Sequence, residues 1–201
     1  FPAWINIDNY LNADTKRLST GTFKIIFVGS VTERKNPKII IESLETIDED
    51  ISLEIIGQTP NLKYLKELNK LIANSKYAKS ITMTPFIKAE ELILKYSFAN
   101  LFILPSKSEG LGRVIIEAQS TACPVLVSSN TGMTDLIIEN ETGYIFENNN
   151  KNDLTKKIQY IIDNYESALQ IGLNSKDFVK ENQSVTNFEF GYKKLIDLVS
   201  T

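Results

Sequence analysis

Two glutamates, Glu109 and Glu117, lie in a stretch whose residue types and spacing suit the binding of a phosphorylated ligand. An apolar run ends at Pro105, a loop carries Glu109, and from Gly112 the pattern becomes helical, which places Glu117 one or two turns inside a helix. Free amides in the first turn of a helix attract phosphate. A carboxylate further along that helix can accept two hydrogen bonds from a ribose diol. The arrangement suits a nucleoside diphosphate.

Two adjacent cations, Arg34 and Lys35, follow the first predicted strand and precede a helix that Asn36 caps and Pro37 opens. Positive charge there could neutralise a diphosphate and stabilise it as a leaving group, because negative charge grows on the leaving group as its bond breaks. Adjacent charges in a loop are more often a solvated surface pair, and the residues alone leave that alternative open.

Strands and helices alternate along the chain. Short, apolar, β-branched runs predict buried strands at 23–28, 52–56, 80–83, 101–104 and 124–127. Amphipathic stretches predict helices at 37–47, 62–74, 89–97, 153–164, 166–181 and 187–199. Buried strands with helical spacers predict an α/β fold, a Rossmann-like doubly wound parallel sheet followed by C-terminal helices.

Several of the residues that could contact a ligand follow directly after predicted strands. Gly29, Gly57, Ile87 and Glu109 each come after a different strand. In a doubly wound sheet, ligands bind outside the carboxyl ends of the strands near the topological switch point. We therefore expect these four residues to face one crevice.

Composition narrows the class of protein. At 201 residues and 42% hydrophobic content, the chain can bury one compact core, and a net charge of -3 argues against a nucleic-acid binder. The single cysteine, Cys123, forms no disulfide within the chain, which fits a cytoplasmic protein. The sequence has no histidine, no convincing metal-ligand spacing and no signal peptide or apolar membrane-spanning run. Because it begins with Phe1, we expect it to be a fragment of a longer protein.

The glutamate pair, with Gly-Leu-Gly between, resembles the signature of the retaining, sugar-nucleotide-dependent glycosyltransferases of family 4, the group 1 set with the GT-B fold. Other segments resemble this family in the same order: VGSVTERKNP, IIGQTP, TPFIKAEELILKYSFANLFILPSKSEGLG, ACPVLVSSNTG and ENETGYIF. The resemblance spans about residues 1–180. It implies the C-terminal, donor-binding half of such an enzyme, with residues 1–22 as an interdomain segment, 23–201 as the donor domain, and the acceptor-binding N-terminal domain absent.

The resemblance also implies roles for the charged residues. Lys35 matches the family's phosphate-binding lysine, helped by Arg34, and Glu109 matches the glutamate beside the donor sugar. Glu117 matches the carboxylate that binds the ribose. Two alternatives stay open on the residues alone: Glu117 could form a surface ion pair with Arg113, four positions earlier, and Glu109 could be a loop carboxylate in water.

The remaining donor-nucleotide contacts follow from the same resemblance: Gly29, Ser30, Gly57, Phe86, Ile87, Gly110, Leu111, Gly112 and Arg113. Leu111, Gly112 and Arg113 would act through backbone amides, whereas Phe86 and Ile87 would line the base. As alternatives, the glycines could serve tight turns alone and Phe86 could be plain core. Ser30 stands where many members have arginine, and the segment 130–135 has one glycine where many members have paired glycines followed by a glutamate.

The implied activity is the transfer of a hexose, with retention, from a nucleoside diphosphate donor, expected to be UDP, to an acceptor hydroxyl in bacterial polysaccharide or glycolipid synthesis. We expect no metal or other cofactor. The expected partners are the nucleotide sugar and a glycan or lipid-linked glycan bound by the absent domain, without nucleic acid and with peripheral attachment to the cytoplasmic face of a membrane. The alternatives are a non-catalytic nucleotide-binding module and a GT-B phosphorylase-like enzyme.

Overall fold

The computed structural model describes residues 7–15, 17, 20–132, 136–182 and 193. The strands are β1 (Phe23–Val28), β2 (Ile51–Ile56), β3 (Ile81–Thr84), β4 (Leu101–Leu104), β5 (Val125–Ser128) and β6 (Tyr144–Phe146). Within the described part of the chain they form one parallel sheet in the order β3-β2-β1-β4-β5-β6. This order is that of the Rossmann-like doubly wound fold, so the predicted fold class is confirmed.

Helices cover both faces of the sheet. They are α1 (Asp8–Leu11), α2 (Pro37–Leu44), α3 (Leu62–Asn74), α4 (Ala89–Phe98), α5 (Arg113–Ser120), α6 (Lys151–Asp163) and α7 (Tyr165–Asn182). Since β2 and β5 lie on opposite sides of the central β1-β4 pair, right-handed crossovers put α2 and α5 on opposite faces. In agreement, α2 packs against α3 and α6, whereas α5 packs against α4 and α7. Over the residues described, no helix is long and apolar enough to cross a membrane.

The central strands are buried because helices cover them on both faces. Every residue of β4 and β5 is buried, and so are five of the six residues of β1. Phe27 and Phe102, on adjacent strands, are fully buried. This buried pair of strands ends at the switch point, where the chain leaves β1 toward one face and β4 toward the other.

Some element boundaries differ from the sequence-based predictions. The edge strand β6 was not predicted, because a strand of three residues after a Thr-Gly turn is too short to show periodicity. Helix α2 ends at Leu44 rather than at Ile47, since the chain turns at Glu45 and Thr46. Helix α6 begins at Lys151, two residues before the predicted start. The predicted helix at 187–199 lies outside the described residues, except for Lys193.

Asn36 occupies the N-cap position of α2, as predicted, but it does not cap the helix with its side chain. Its backbone is left-handed, with a φ of 54°, whereas a capping residue normally has extended backbone. Its side-chain amide instead donates to Oδ1 of Asn149 at 3.4 Å. Asn36 therefore ties the start of α2 to the loop that follows β6.

The segment before β1 is attached to the domain. Helix α1 packs against α5. The Arg17 guanidinium donates to the carbonyl oxygens of Tyr96, Ala99 and Thr121, each at 2.8 Å. Since Ala99 and Thr121 are the C-caps of α4 and α5, one cation binds the carboxyl ends of two helices. The assignment of residues 1–22 as an interdomain segment stays a prediction.

Candidate functional site

The loops that follow β1 and β4 are joined to each other at the switch point. The backbone amide of Lys107 donates to the carbonyl oxygen of Arg34 at 2.8 Å. In return, the Arg34 guanidinium donates to the carbonyl oxygen of Ser108 at 2.8 Å. These contacts bring the two predicted cations and the first predicted glutamate to the same end of the sheet.

Lys35, Arg34 and Glu109 form one charged cluster. The Lys35 ammonium makes a direct ion pair with Oε2 of Glu109, and the Arg34 guanidinium lies 3.9 Å from the same oxygen. The side chains of Glu109 and Lys35 are only 8% and 12% exposed, whereas that of Arg34 is 55% exposed. The alternatives of a loop carboxylate in water and a solvated pair of cations therefore do not hold for Glu109 and Lys35.

The N-terminus of α5 begins directly after this cluster. Gly112 is its N-cap, and no side chain among the residues that the structure describes caps it. The amide of Arg113 donates to the carbonyl oxygen of Leu111 at 2.9 Å, so this amide is not free, contrary to the prediction that it is open to a ligand. The side chain of Leu111 is 55% exposed, and a Cβ at Gly110 would contact nothing within 4 Å.

Glu117 lies one turn into α5, as predicted. Its Oε2 accepts a hydrogen bond from the Tyr96 hydroxyl at 3.2 Å. The predicted alternative, a surface ion pair with Arg113, does not form between these two described residues. Burial raises the pKa of the Glu117 carboxyl, while the Tyr96 hydrogen bond and the more distant Arg113 charge lower it. A half-buried carboxylate on a helix that packs against the domain is an acceptor held in place, not a mobile surface charge.

The strand-end glycines are required by the backbone around them. A Cβ on Gly57 would lie 1.9 Å from the carbonyl oxygen of Gly29, and both residues have positive φ angles, 149° and 147°. Gly57 is therefore dictated by the close approach of two loops, a cause that the predictions of a nucleotide contact or a tight turn did not include. Ser30, which follows Gly29, is exposed.

Phe86 and Ile87 lie after the edge strand β3, two strands away from β1. Phe86 is 73% exposed, so the alternative that it belongs to the core is wrong. Ile87 is partly buried and packs against the core. At a strand spacing of about 4.8 Å, the ends of β3 and β1 lie roughly 10 Å apart. The structure thus puts them on the same edge of the sheet without joining them to the Lys35–Glu109 pair.

Three residues of the site were missed by sequence reasoning. Ser106 donates to Glu109 at 3.3 Å, and Tyr96 donates to Glu117. Thr131 forms a bridge with Glu109, and its buried hydroxyl has no partner among the described residues. Local sequence contains no indication of the Tyr96 and Thr131 contacts, because they join parts of the chain that are distant in sequence.

The loop after β5 contributes through its backbone. The amide of Gly132 donates to the carbonyl oxygen of Glu109 at 2.7 Å. A Cβ on Gly132 would lie 2.4 Å from the carbonyl oxygen of Gly110. Despite the single glycine, this loop therefore contacts the Glu109 loop closely. Met133, Thr134 and Asp135 lie outside the described residues.

A cavity of about 630 Å³ lies elsewhere, between α4 and the face of the sheet at β1, β2 and β3. Its lining includes Lys24, Glu54, Thr82, Leu94 and Phe98, and none of the predicted site residues. In the described part of the chain, no three acidic, cysteine or histidine side chains group together as a metal site. The expectation of a metal-free site stays a prediction.

Comparison with known proteins identifies the family of the chain. Residues 12–178 match the sequence profile of the family described as "Glycosyl transferases group 1". The capsular polysaccharide biosynthesis glycosyltransferase CapM of Staphylococcus aureus is 27% identical over 184 residues, which are 88% of this chain and 46% of CapM. The chain spans less than half the length of the first curated relatives it matches.

Two solved structures show the same fold. The C-terminal domain of the group 1 glycosyl transferase LpcC from Francisella tularensis has a TM-score of 0.74 at 22% identity, covering 92% of this chain and 96% of that domain. HepE of Anabaena, solved with UDP and glucose, has a TM-score of 0.78 at 19% identity, covering 86% of this chain and 48% of HepE.

Proposed function

The chain belongs to the group 1 glycosyl transferases, and we propose that it is the donor-binding half of a retaining hexosyltransferase with the GT-B fold. It would bind a nucleoside diphosphate sugar at the carboxyl ends of its strands. A second half, which binds the acceptor, would complete the active site. The observation that carries the proposal is the Lys35–Glu109 pair at the switch point, directly before the N-terminus of α5, the helix that carries Glu117 one turn further on.

The spacing of these groups suits a nucleoside diphosphate. Glu117 is the fifth residue of α5, so it lies about 6 Å along the axis from the first helical residue. Phosphates bound at the helix N-terminus would thus have the ribose beside Glu117, because the ribose directly follows the phosphates in the donor. The carboxylate would accept hydrogen bonds from the ribose hydroxyls.

Lys35 and Arg34 would stabilise the leaving diphosphate. In the free protein, Glu109 balances the charge of Lys35, so the cluster of two cations and one carboxylate has a net charge of +1. A diphosphate placed beside it would share Lys35 with Glu109 and draw in the more exposed Arg34. The attraction would strengthen as the glycosidic bond breaks, which is the condition for lowering the barrier.

The proposed reaction proceeds on one face of the sugar. The bond between the anomeric carbon and the phosphate oxygen breaks, and the acceptor oxygen bonds the same carbon from the side that the phosphate leaves. The acceptor proton passes to the departing phosphate. Glu109 would lie beside the donor sugar, binding a hydroxyl or supporting positive charge on the ring. No metal is needed in this scheme, because protein cations supply the positive charge.

The donor, acceptor and setting are proposed from the relatives. A neighbour solved with UDP and glucose favours a UDP-linked hexose, and the name of the Staphylococcus relative favours polysaccharide synthesis. The acceptor would be a glycan or lipid-linked glycan held by the second half. The cytoplasm, or the cytoplasmic face of a membrane to which the protein attaches peripherally, is the proposed location.

Calorimetric titration of this chain with UDP, GDP and ADP tests donor binding. We expect one of them, UDP first, to bind, and Glu117→Ala to weaken that binding by about 1–3 kcal/mol through lost charge-assisted hydrogen bonds. The 2′,3′-dideoxy nucleotide should bind wild type weakly and the variant about equally. A folded Glu117→Ala variant with unchanged affinity would reject the ribose assignment. Binding of sugar phosphates but of no nucleotide would point to a phosphorylase-like enzyme instead.

A further inference from the structure

Tyr96 is a buried side chain that contacts the candidate ribose-binding carboxylate from a different helix. It lies near the end of α4, is fully buried, and donates to Oε2 of Glu117 at 3.2 Å. Its ring meets Phe102 of β4 edge to face at 5.7 Å between centroids, and Tyr10 of α1 at 6.3 Å. The hydroxyl is therefore held in one direction by rings on both sides.

The Tyr96 hydroxyl occupies only part of the Glu117 carboxylate. A carboxylate can accept about four hydrogen bonds on its two oxygens, and Tyr96 uses one site on Oε2. Among the residues that the structure describes, no protein group bonds to Oε1. Tyr96 thus fixes the rotation of the carboxylate while leaving acceptor sites for two ligand hydroxyls.

We propose that Tyr96 is a positioning residue for the donor: by donating to Glu117, it holds the carboxylate charged and oriented toward the ribose diol. This inference rests on the proposed function, in which Glu117 binds the ribose. It goes beyond that proposal because it assigns a specific task to a residue that does not touch the ligand.

The charge state of Glu117 supports this task. Burial raises the pKa of its carboxyl, and the hydrogen bond from Tyr96 is the largest influence that lowers it. The other groups near Glu117 are Arg113 on the same helix, whose charge also lowers this pKa, and Tyr10 on α1. Burial and the Glu117 charge raise the pKa of Tyr96 well above its ordinary value, so Tyr96 stays protonated and remains a donor.

The test is Tyr96→Phe, which removes the hydroxyl and keeps the ring between Phe102 and Tyr10. We expect carbon-13 NMR titration of the free protein to show a higher pKa for Glu117 in the variant. Affinity for UDP at neutral pH should fall about tenfold, the effect of one hydrogen bond to a charged group. Affinity for 2′,3′-dideoxy-UDP should not change. In a Glu117→Ala background, which removes the acceptor of the Tyr96 hydroxyl, Tyr96→Phe should have no further effect on UDP affinity.

Tyr77→Phe is the matched control. Tyr77 is also a buried tyrosine, but its hydroxyl donates to the carbonyl oxygens of Ile47 and Glu49, before β2. It should change neither the Glu117 titration nor UDP affinity. An unchanged Glu117 pKa in Tyr96→Phe, or an equal loss of affinity for both nucleotides, would overturn the positioning role while leaving the proposed function intact. Wild type that binds UDP and its dideoxy analogue equally would instead overturn the ribose role of Glu117, and this role of Tyr96 with it.

Discussion

At the scale of single residues, the charges of the candidate site are linked in pairs rather than placed independently. Lys35 and Glu109 are both largely buried and neutralise each other. Removing Glu109 would leave the buried Lys35 charge without this partner, and removing Lys35 would leave Glu109 with only the more distant Arg34. Losing one member of a buried pair costs more than the pair itself contributes. A substitution at either position therefore changes both the stability of the domain and the charge offered to a ligand, and experiments must separate the two effects.

Glu117 presents the opposite case, in which function and stability conflict. Because burial raises the pKa of its carboxyl, the folded protein holds this proton more tightly than the unfolded chain does. Stability from this group is therefore present at low pH and falls as the pH rises through the unfolded and then the folded pKa. At neutral pH the domain keeps a charged carboxylate that costs stability, which fits a residue retained for binding.

Glu117→Gln should separate these two properties. The amide keeps the shape and can still accept from Tyr96, but it carries no charge to desolvate. We expect its melting temperature at neutral pH to equal or exceed that of wild type by a few degrees, with the difference vanishing under acidic conditions where Glu117 is protonated. Nucleotide affinity should fall all the same. A variant less stable than wild type at neutral pH would show that the carboxylate stabilises the fold.

At the scale of elements, α5 is fixed at both ends. Its N-terminus lies beside the loops that carry Glu109 and Thr131, which are joined by a backbone bridge. Its C-terminus shares the Arg17 guanidinium with the C-terminus of α4. The segment before β1 therefore influences the orientation of the two helices that carry Glu117 and Tyr96.

Arg17→Ala should destabilise the domain by about 2 kcal/mol, because three carbonyl oxygens at the ends of α4 and α5 lose a charged donor. Urea unfolding of the chain measures the change. Lys66→Ala, at an exposed position on α3, is the control and should change stability by less than about 0.5 kcal/mol. Equal unfolding midpoints for Arg17→Ala and wild type would mean that water replaces the guanidinium without loss.

The backbone after β1 and the backbone after β2 approach each other so closely that only glycine fits at position 57. Gly57→Ala should destabilise the domain by about 3 kcal/mol, since its methyl group would overlap the backbone oxygen of Gly29 and neither loop can move away without breaking the strand ladder. Gly110→Ala serves as the matched control, because a Cβ there meets open space; its stability should stay within about 0.5 kcal/mol of wild type. A mild Gly57→Ala phenotype in thermal melts would contradict the rigid strand-end geometry.

At the scale of the whole molecule, sequence reasoning predicted what depends on periodicity and failed where distant segments meet. Strands such as β1 and β4 are buried apolar runs between turn residues, so their positions could be predicted to within a residue. The Lys35–Glu109 contact could be expected only as nearness at one sheet edge, since no local pattern encodes a pair 74 positions apart. The Tyr96 contact was missed for the same reason. The exposure of Phe86 was missed because a single aromatic residue in a loop has no periodicity that would indicate whether it is buried or exposed.

The leaving-group role proposed for Lys35 is tested in the full-length enzyme, in which the proposal places an acceptor-binding half beside this domain. There, Lys35→Ala should lower kcat by on the order of 10²-fold as well as weaken donor binding, because the interaction strengthens in the transition state. Lys38→Ala, which removes an exposed cation of α2 paired with Glu42, should leave kcat unchanged. The double variant Lys35→Ala/Glu109→Gln removes the unpaired carboxylate; if it recovered full turnover, the loss in Lys35→Ala would reflect the stranded Glu109 charge and not a missing phosphate contact.

EDTA should leave wild-type turnover largely intact, because cations of the protein neutralise the leaving diphosphate in the proposed reaction. Turnover that EDTA abolished and Mg²⁺ or Mn²⁺ restored would show that a metal, not Lys35 with Arg34, neutralises the leaving diphosphate.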